Sequence, residues 1–322
     1  MHKISFIFPG YGFYNIKFLK SFFKKHTIIK NTFNEASDLL HKNIYNNFLK
    51  NNNNSIYINK NIYLLTFISS IAIYRLLNQE ISIKPTVLAG HSLGQYSALV
   101  CNDNMSFREA LKIITIRNKI MLLAVKNIQV LTLVVIGLNY VLVKQICSLT
   151  FLIDQVFISI INSHKQVVIT GNYSAVYTAG KIFKKQFRAK IIRLPTSITS
   201  HCILLKKYKK IFSNYLNKIT ISTGKYPIIS NHNAAIMYTI QDIYLASIKQ
   251  IYKKVQWEKS IKKIISMGID VFIEIGPGQI LTNLNKKYFN VASYATSSNQ
   301  KLSLVMDILK NHEKKNCFSN RS

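Results

Sequence analysis

One short segment, residues 89–98 with the sequence AGHSLGQYSA, most strongly limits what this chain can fold into. The apolar run from Pro85 to Ala89 predicts a buried strand, and the residues from Tyr96 to Val100 predict a helix directly after it. Ser92 therefore falls on a tight turn from strand to helix, between two glycines that avoid clashes with neighbouring elements. The pattern predicts an α/β fold in which this serine faces outward at the carboxyl end of a sheet strand.

Such a turn suits a serine nucleophile for acyl transfer. The amide end of the following helix points toward the hydroxyl and favours negative charge that develops there. A serine between glycines also occurs in ordinary turns, and a serine hydroxyl attacks only when a base removes its proton. The chemistry therefore depends on a histidine elsewhere in the chain.

Two histidines are candidates for that base. His201 follows the stretch TSITS, and His232 follows a predicted strand that ends at Ser230. Sequence position alone does not decide between them. Cys202, beside His201, is a competing nucleophile, but residues adjacent along a chain rarely face each other, so we predict that the nucleophile is the serine.

The charge of the chain is extreme, with 43 Lys and Arg against 12 Asp and Glu and a formal net charge of +31. Nucleic-acid binding is the first interpretation of such a surplus. The lysines are scattered, however, and Lys, Asn, Ile, Tyr and Phe all have A/T-rich codons. We attribute the charge to the base composition of the gene and predict no nucleic-acid partner. A basic surface would still attract an acidic protein.

Cysteine and hydropathy patterns indicate a cytoplasmic protein. The four cysteines form no Cys-x-x-Cys pair and no disulfide framework, so we expect no metal site and a reducing compartment. The longest uncharged stretch, residues 127–143, predicts a strand and a helix rather than a membrane span. The apolar run from Ile4 to Phe8 is cut short by Pro9, so no secretory signal is predicted.

The order of the predicted elements divides the chain into parts. Over residues 127–196 it is β-α-β-β-α-β, which is typical of a ferredoxin-like subdomain. On either side, strands alternate with helices and predict a parallel sheet covered on both faces. We predict a large α/β-hydrolase-like catalytic domain over 1–126 and 197–310, the small subdomain inserted at 127–196, and a disordered tail over 311–322.

Several blocks along the chain resemble the malonyl-CoA:acyl carrier protein transacylase family, of the bacterial type that serves fatty acid synthesis. The similarity runs from FIFPG at 6–10 to EIGPG at 274–278, with GHSLGQYSALV, NSHKQVVITG, SH and QIYKKVQW in order between them. Ordered blocks over nearly the whole chain are more specific than the serine motif alone. The resemblance implies a large α/β domain that carries a small ferredoxin-like insert, in agreement with the predicted element order.

The resemblance also implies the catalytic pair. Ser92 matches the nucleophile and His201 matches the base, oriented by the main-chain carbonyl of Gln250. Such a carbonyl would fix the ring tautomer and leave the other nitrogen free to accept the serine proton. We therefore expect the hydroxyl and the imidazole to meet, although they are far apart in the sequence.

Two further roles follow from the resemblance. The backbone amides of Tyr11 and Leu93 match an oxyanion hole, and Arg117 matches an arginine that binds the free malonyl carboxylate, a role that requires a buried guanidinium. The first motif departs from the family's Phe-Pro-Gly-Gln-Gly-Ser-Gln, since this chain has Tyr11, Phe13 and Tyr14. A backbone amide survives such a change, whereas the fit of the substrate is affected.

The activity implied is that of an [acyl-carrier-protein] S-malonyltransferase that works through a malonyl-serine intermediate. The implied partners are malonyl-CoA and an acidic acyl carrier protein, and we expect a monomer without membrane association. No cofactor is expected, because coenzyme A and phosphopantetheine enter as parts of the substrates. Two alternatives stay open: a serine hydrolase or thioesterase on a similar fold, and a drifted, non-catalytic remnant that binds the carrier protein.

Overall fold

The structure, a computed structural model, describes residues 3–11, 16–44, 55–82, 84–149, 151–196 and 198–319. Its contacts divide the chain into two compact units. The first consists of Met1–Ile114, Ile221–Ile229 and Lys263–Ser322, and the second of Thr115–Thr220 and Ser230–Lys262. The departures Phe13 and Tyr14 in the first motif lie outside the described residues.

The first unit is built on a parallel sheet. Its strands are β1 (Ile4–Phe8), β2 (Val87–Gly90), β7 (Ile228–Ile229), β9 (Val271–Glu274) and β10 (Ala292–Ala295). They lie in the order β10-β9-β1-β2-β7, and every neighbouring pair is parallel. The strands β1, β2 and β9 are buried at every residue, as strands covered on both faces must be.

Helices connect these strands. They are α1 (Ile16–Lys25), α2 (Thr27–Leu40), α3 (Ser55–Glu80), α4 (Gly94–Cys101), α5 (Phe107–Ala124), α11 (Ile280–Tyr288) and α12 (Asn299–Ser319). Helix α5 passes from the first unit into the second, because its residues from Thr115 onward, including Arg117, belong to the second unit. Helix α12 extends over most of the segment 311–322 for which the sequence predicts disorder. Its apolar stripe of Leu302, Val305 and Leu309 is buried, and no glycine or proline interrupts the residues that follow.

Buried amides fix the segment Ile221–Ile229 within the first unit. The Asn102 side chain donates to the carbonyl of Tyr226 at 2.9 Å and accepts from the Tyr226 N–H at 2.8 Å. Asn104 donates to the carbonyl of Ser222 at 2.8 Å. These contacts satisfy main-chain groups just before β7, the strand that pairs with β2.

The second unit contains an antiparallel sheet. Its strands are β3 (Val130–Ile136), β4 (Val156–Ser163), β5 (Gln166–Asn172) and β6 (Lys190–Arg193), in the order β4-β5-β3-β6. With helices α6 (Tyr140–Cys147) and α7 (Tyr173–Phe187) they give the predicted order β-α-β-β-α-β, so the ferredoxin-like element order is confirmed. The α/β class with a parallel sheet is confirmed as well. The predicted domain limits stay a prediction.

The rest of the second unit is mostly helical. It contains a 3₁₀ helix (Ile203–Tyr208), α8 (Lys209–Leu216), the short strand β8 (Ile236–Met237), α9 (Ile240–Tyr252) and the start of α10 (Trp257–Ser266). The sequence predicts one helix from Leu204 to Leu216, and the structure instead has a 3₁₀ helix followed by an α-helix there. Over the described residues, no helix combines the length and the apolar character that crossing a membrane requires.

Candidate active site

Ser92 occupies a sharp turn between β2 and α4 in the first unit. Its φ angle is +53°, in the left-handed region that side-chain-bearing residues adopt at a cost. The Gly94 N–H donates to the carbonyl of His91 at 2.9 Å, and the Gln95 N–H donates to that of Ser92 at 3.1 Å. The turn expected from the sequence is therefore present, and it is held by two main-chain hydrogen bonds.

The glycines on either side of Ser92 are required by close backbone approach. A Cβ on Gly90 would lie 2.0 Å from the carbonyl carbon of Gly94, and a Cβ on Gly94 would lie 2.1 Å from the carbonyl oxygen of Phe8. Atoms at such distances overlap, so no larger residue fits without moving the backbone. The spacing Gly-x-Ser-x-Gly thus reflects packing between β1, β2 and α4.

Helix α4 starts immediately after Ser92 and Leu93. Apart from Val100, every residue of α4 is buried. The N–H groups of its first turn carry partial positive charge, and burial strengthens their effect on a nearby anion. The position therefore suits a serine whose reaction develops negative charge.

The loop after β1 lies against the same turn. Phe8 at the end of β1 pairs in register with Gly90 at the end of β2, and the His91 N–H donates to the carbonyl of Phe8 at 2.9 Å. A Cβ on Gly10 would lie 3.3 Å from the Cβ of Ser92. Tyr11 follows with its side chain partly exposed. The oxyanion role of the Tyr11 and Leu93 amides stays a prediction.

His201, in the second unit, is fixed by the end of helix α9. Its ring Nδ1 donates to the carbonyl of Gln250 at 2.7 Å, and its backbone N–H donates to the carbonyl of Ile251 at 3.1 Å. His201 is buried, with a φ of +59°. The contact between His201 and the Gln250 carbonyl, expected from the resemblance, is present.

Both accepting carbonyls belong to the last turn of α9. The final carbonyls of a helix have no partner within the helix, and they carry the negative end of its dipole. Because a carbonyl can only accept, His201 keeps a hydrogen on Nδ1 and presents the lone pair of Nε2. The helix end also favours the positive charge that His201 gains when it takes a proton.

Arg117 on α5 reaches the other side of the same ring. Its Nη2 lies 3.4 Å from His201 Nε2, and only 5% of the residue is exposed. The burial that a carboxylate-binding role requires is therefore present. A buried guanidinium presents a planar fork of donors that matches a carboxylate. Its binding of malonyl stays a prediction.

A chain of hydroxyl groups holds the loop that carries His201. Thr132 on β3 contacts Thr170 on β5 at 2.8 Å, Thr170 contacts Thr199 at 3.0 Å, and Thr199 contacts the Sγ of Cys202 at 3.3 Å. All four residues are buried. Sequence reasoning did not identify these threonines, although polar residues at inward positions of apolar strands are a signal for such a network.

The alternative residues are less suited to the chemistry. Burial raises the pKa of the Cys202 thiol, which disfavours the reactive thiolate. His232 pairs with the hydroxyl of Ser230 at 2.8 Å. Burial, followed by the charges of Lys249 and Lys253, lowers the pKa of His232 to about 4. The contact that orients His232 is thus with the hydroxyl of the buried Ser230, whereas His201 is oriented by a main-chain carbonyl.

The described part of the chain contains no cluster of three or more His, Cys, Asp or Glu side chains arranged to hold a metal ion.

Comparison with known proteins gives a consistent result. The family model of the acyl transferase domain matches residues 34–318. The chain is 35% identical over 299 residues to the malonyl CoA-acyl carrier protein transacylase of Buchnera aphidicola subsp. Schizaphis graminum, covering 92% of this chain and 96% of that one. The structure of FabD from Acinetobacter baumannii aligns with a TM-score of 0.89 at 31% identity, covering 97% of this chain and 99% of that one.

A further solved structure to which the chain is similar is a complex of two proteins. It is a type II polyketide acyl-carrier protein in complex with its malonyl-transacylase, PlMCAT. The chain is 29% identical to it, with a TM-score of 0.86, and the alignment covers 95% of this chain and 99% of that one.

Proposed function

Because the chain belongs to the malonyl CoA-acyl carrier protein transacylase family of acyl transferases, we propose that it transfers malonyl from malonyl-CoA to an acyl carrier protein. The acceptor is the phosphopantetheine thiol of the carrier, and the product serves fatty acid synthesis. The observation that carries this proposal is the turn at Ser92, where a φ of +53° and two close-packed glycines place a serine at the start of a buried helix.

The first half-reaction forms an ester on Ser92. The serine Oγ attacks the thioester carbonyl carbon while His201 Nε2 takes the hydroxyl proton. The amides of Tyr11 and Leu93 stabilise the oxyanion, a contribution of roughly a hundredfold or more in rate for each donor. The carbon–sulfur bond breaks, and coenzyme A leaves as a thiol that carries the proton from His201.

The second half-reaction reverses these steps with a different thiol. His201 takes the proton of the phosphopantetheine thiol, and the sulfur attacks the carbonyl carbon of the malonyl ester. The carbon–oxygen bond to Ser92 breaks, and the serine regains its proton from His201. Since the Gln250 carbonyl holds Nδ1 throughout, the same nitrogen serves both steps.

Arg117 selects the acyl group in this proposal. A malonyl group ends in a carboxylate, and the buried Arg117 fork binds it through two charge-assisted hydrogen bonds. The net charge of +31 supports an acidic carrier protein as the partner, because opposite charge speeds the encounter. We further propose that the protein acts in the cytoplasm as a monomer, without metal or cofactor.

The decisive experiment is intact-mass measurement after mixing with malonyl-CoA. We expect one malonyl adduct on the wild-type protein, and its transfer to acyl carrier protein when the carrier is added. Ser92→Ala removes the nucleophile and should form no adduct. Ser97→Ala is the matched control, since Ser97 lies on the helix that follows Ser92, is buried, and has no hydrogen-bond partner for its hydroxyl among the described residues.

Each competing function gives a different result in the same assay. A hydrolase would lose the adduct to water at a rate independent of the carrier. A non-catalytic remnant would bind the carrier and form no adduct. An adduct that persists on Ser92→Ala would show that another residue is the nucleophile.

A further inference from the structure

We propose that Arg117 occupies the Nε2 lone pair of His201, the base, until a carboxylate on the acyl group binds the guanidinium and draws it away from the ring. The inference rests on the proposed function, and it makes Arg117 a positioning residue that acts through His201 as well as a binding residue. Selection for malonyl would then operate on the rate of the serine attack, in addition to the affinity for the substrate.

Two contacts on opposite sides of the imidazole indicate its protonation state. The guanidinium and the carbonyl of Gln250 lie on opposite ring nitrogens, at 3.4 Å from Nε2 and 2.7 Å from Nδ1. A guanidinium can only donate and a carbonyl can only accept, so both contacts fit one form, the neutral ring with its hydrogen on Nδ1. Nε2 has one lone pair in the ring plane, and Arg117 points a donor at it.

That lone pair is the one that must receive the serine proton. Arg117 and the hydroxyl of Ser92 are therefore competing donors for a single acceptor. While Arg117 occupies it, the base is less available. The competition ends when the donor of Arg117 leaves Nε2.

A carboxylate changes the balance of this competition. The separation of 3.4 Å is longer than the usual range of about 2.7–3.2 Å for N–H donors, so the contact of Arg117 with Nε2 is weak. A bidentate carboxylate forms bonds that are shorter and roughly twice as strong as neutral ones. When a malonyl group binds, Arg117 therefore exchanges its weak contact with Nε2 for two strong hydrogen bonds to the carboxylate, and Nε2 is released. An acetyl group has no carboxylate and leaves Arg117 in place.

Formate and acetyl-CoA together supply the two parts of malonyl-CoA separately, which gives a direct test. The measurement is single-turnover acylation of Ser92 by acetyl-CoA, followed by quenching and intact mass, at constant ionic strength. We expect formate to accelerate acetylation about five- to tenfold, the rate equivalent of one weak hydrogen bond from a charged donor. Formamide, of similar size and uncharged, should have no effect.

Two variants make the test specific. Arg117→Met removes the competing donor, so formate should no longer alter its acetylation rate. Arg108→Met is the matched control, because Arg108 lies exposed on the same helix and its loss should leave the formate response intact. A wild-type rate that formate leaves unchanged or lowers would overturn the proposal, as would equal acceleration of Arg117→Met.

A spectroscopic measurement gives an independent outcome. In ¹⁵N-histidine-labelled Ser92→Ala, malonyl-CoA should shift the Nε2 resonance of His201 while acetyl-CoA leaves it in place. Equal shifts with both thioesters would contradict the release of Nε2. A parallel reaction of wild-type protein with malonyl-CoA separates the two ideas: an adduct there without a formate effect rejects only the competition, whereas no adduct rejects the proposed function.

Discussion

Replacement of Gly94 by alanine tests whether close packing at the turn controls the reactivity of Ser92. The added Cβ would lie 2.1 Å from the carbonyl oxygen of Phe8, 2.7 Å from its carbon and 2.8 Å from the carbonyl oxygen of Pro9. All three are backbone atoms, so no side-chain rotation relieves the overlap. Ordinary contact begins at 3.4 Å, so α4 or the end of β1 must move by about 1.3 Å, the difference between 3.4 and 2.1 Å.

Both stability and reaction rate should respond to that displacement. Overpacking of a well-packed core costs typically about 1–3 kcal/mol, and we expect the upper end because only backbone can yield. A misplacement of about 1 Å lowers an enzymatic rate about a hundredfold. Gly94→Ala should therefore lose about 3 kcal/mol in the free energy of unfolding and react with malonyl-CoA about a hundredfold more slowly.

Denaturant unfolding and single-turnover adduct formation measure the two effects. Gly137→Ala is the control, because Gly137 has a φ of +106° but no atom within 4 Å of an added Cβ. It should lose about 1 kcal/mol through backbone strain and keep its adduct rate. If Gly94→Ala unfolds and reacts like the wild-type protein, the packing argument for the turn is wrong.

Two further predictions concern stability. Asn102→Ala should lower the free energy of unfolding by about 2 kcal/mol, because the N–H and the carbonyl of the half-buried Tyr226 lose their hydrogen bonds to the buried Asn102 side chain. Asp103→Asn, at an exposed ion pair, should change it by less than about 0.5 kcal/mol. Equal losses in denaturant unfolding would contradict the difference. The pKa of His232 is about 4 against an ordinary 6.5, so the unfolded chain takes up a proton at a higher pH than the folded protein does. The free energy of unfolding should therefore fall by about 1–2 kcal/mol as the pH drops from 6.5 to 4, allowing for the partial exposure of the ring. Unfolding across that range should show a smaller loss for His232→Gln, and an equal loss would refute the assignment.

The sequence predicts best those elements whose ends carry local signals. The sequence predicts helices over Tyr173–Phe187 and Ile240–Tyr252, which are the limits of α7 and α9 in the structure. Helix α7 begins at Tyr173 because the side chain of Asn172 accepts from the N–H groups of Ser174 and Ala175. Helix α9 begins at Ile240 because Thr239 and Asp242 cap each other's backbone. The predicted starts and ends of both helices agree with the structure, since local side-chain chemistry and apolar spacing fix them.

Elements that depend on contacts with distant parts of the chain cannot be predicted from local sequence signals. The strand β8 has two residues and no pattern of its own. The helix α12 combines a buried apolar stripe with many polar residues, so its sequence resembles a solvated tail. The left-handed backbone at His201 follows from the bond of its N–H to Ile251, fifty residues away along the chain.

The residues of the candidate site also differ in how far local sequence predicts their geometry. The turn at Ser92 follows from ten contiguous residues, and its geometry agrees with the expectation. The contact of His201 with the Gln250 carbonyl is expected only from the family resemblance, because a main-chain carbonyl has no sequence signature. The contact of Arg117 with His201 joins residues 84 positions apart, and no local pattern predicts it. That Ser92 and His201 act as a pair stays a prediction.

The oxygen that orients His201 belongs to the peptide unit and is common to all amino acids. A missense change of the residue at position 250 alters what is attached to the Cα and leaves this acceptor in the polypeptide. A lineage whose genes drift in composition can therefore exchange that side chain without erasing the group that fixes the tautomer. Only a change that redirects the main chain, such as proline introduced within the last turn of α9, would take the acceptor away.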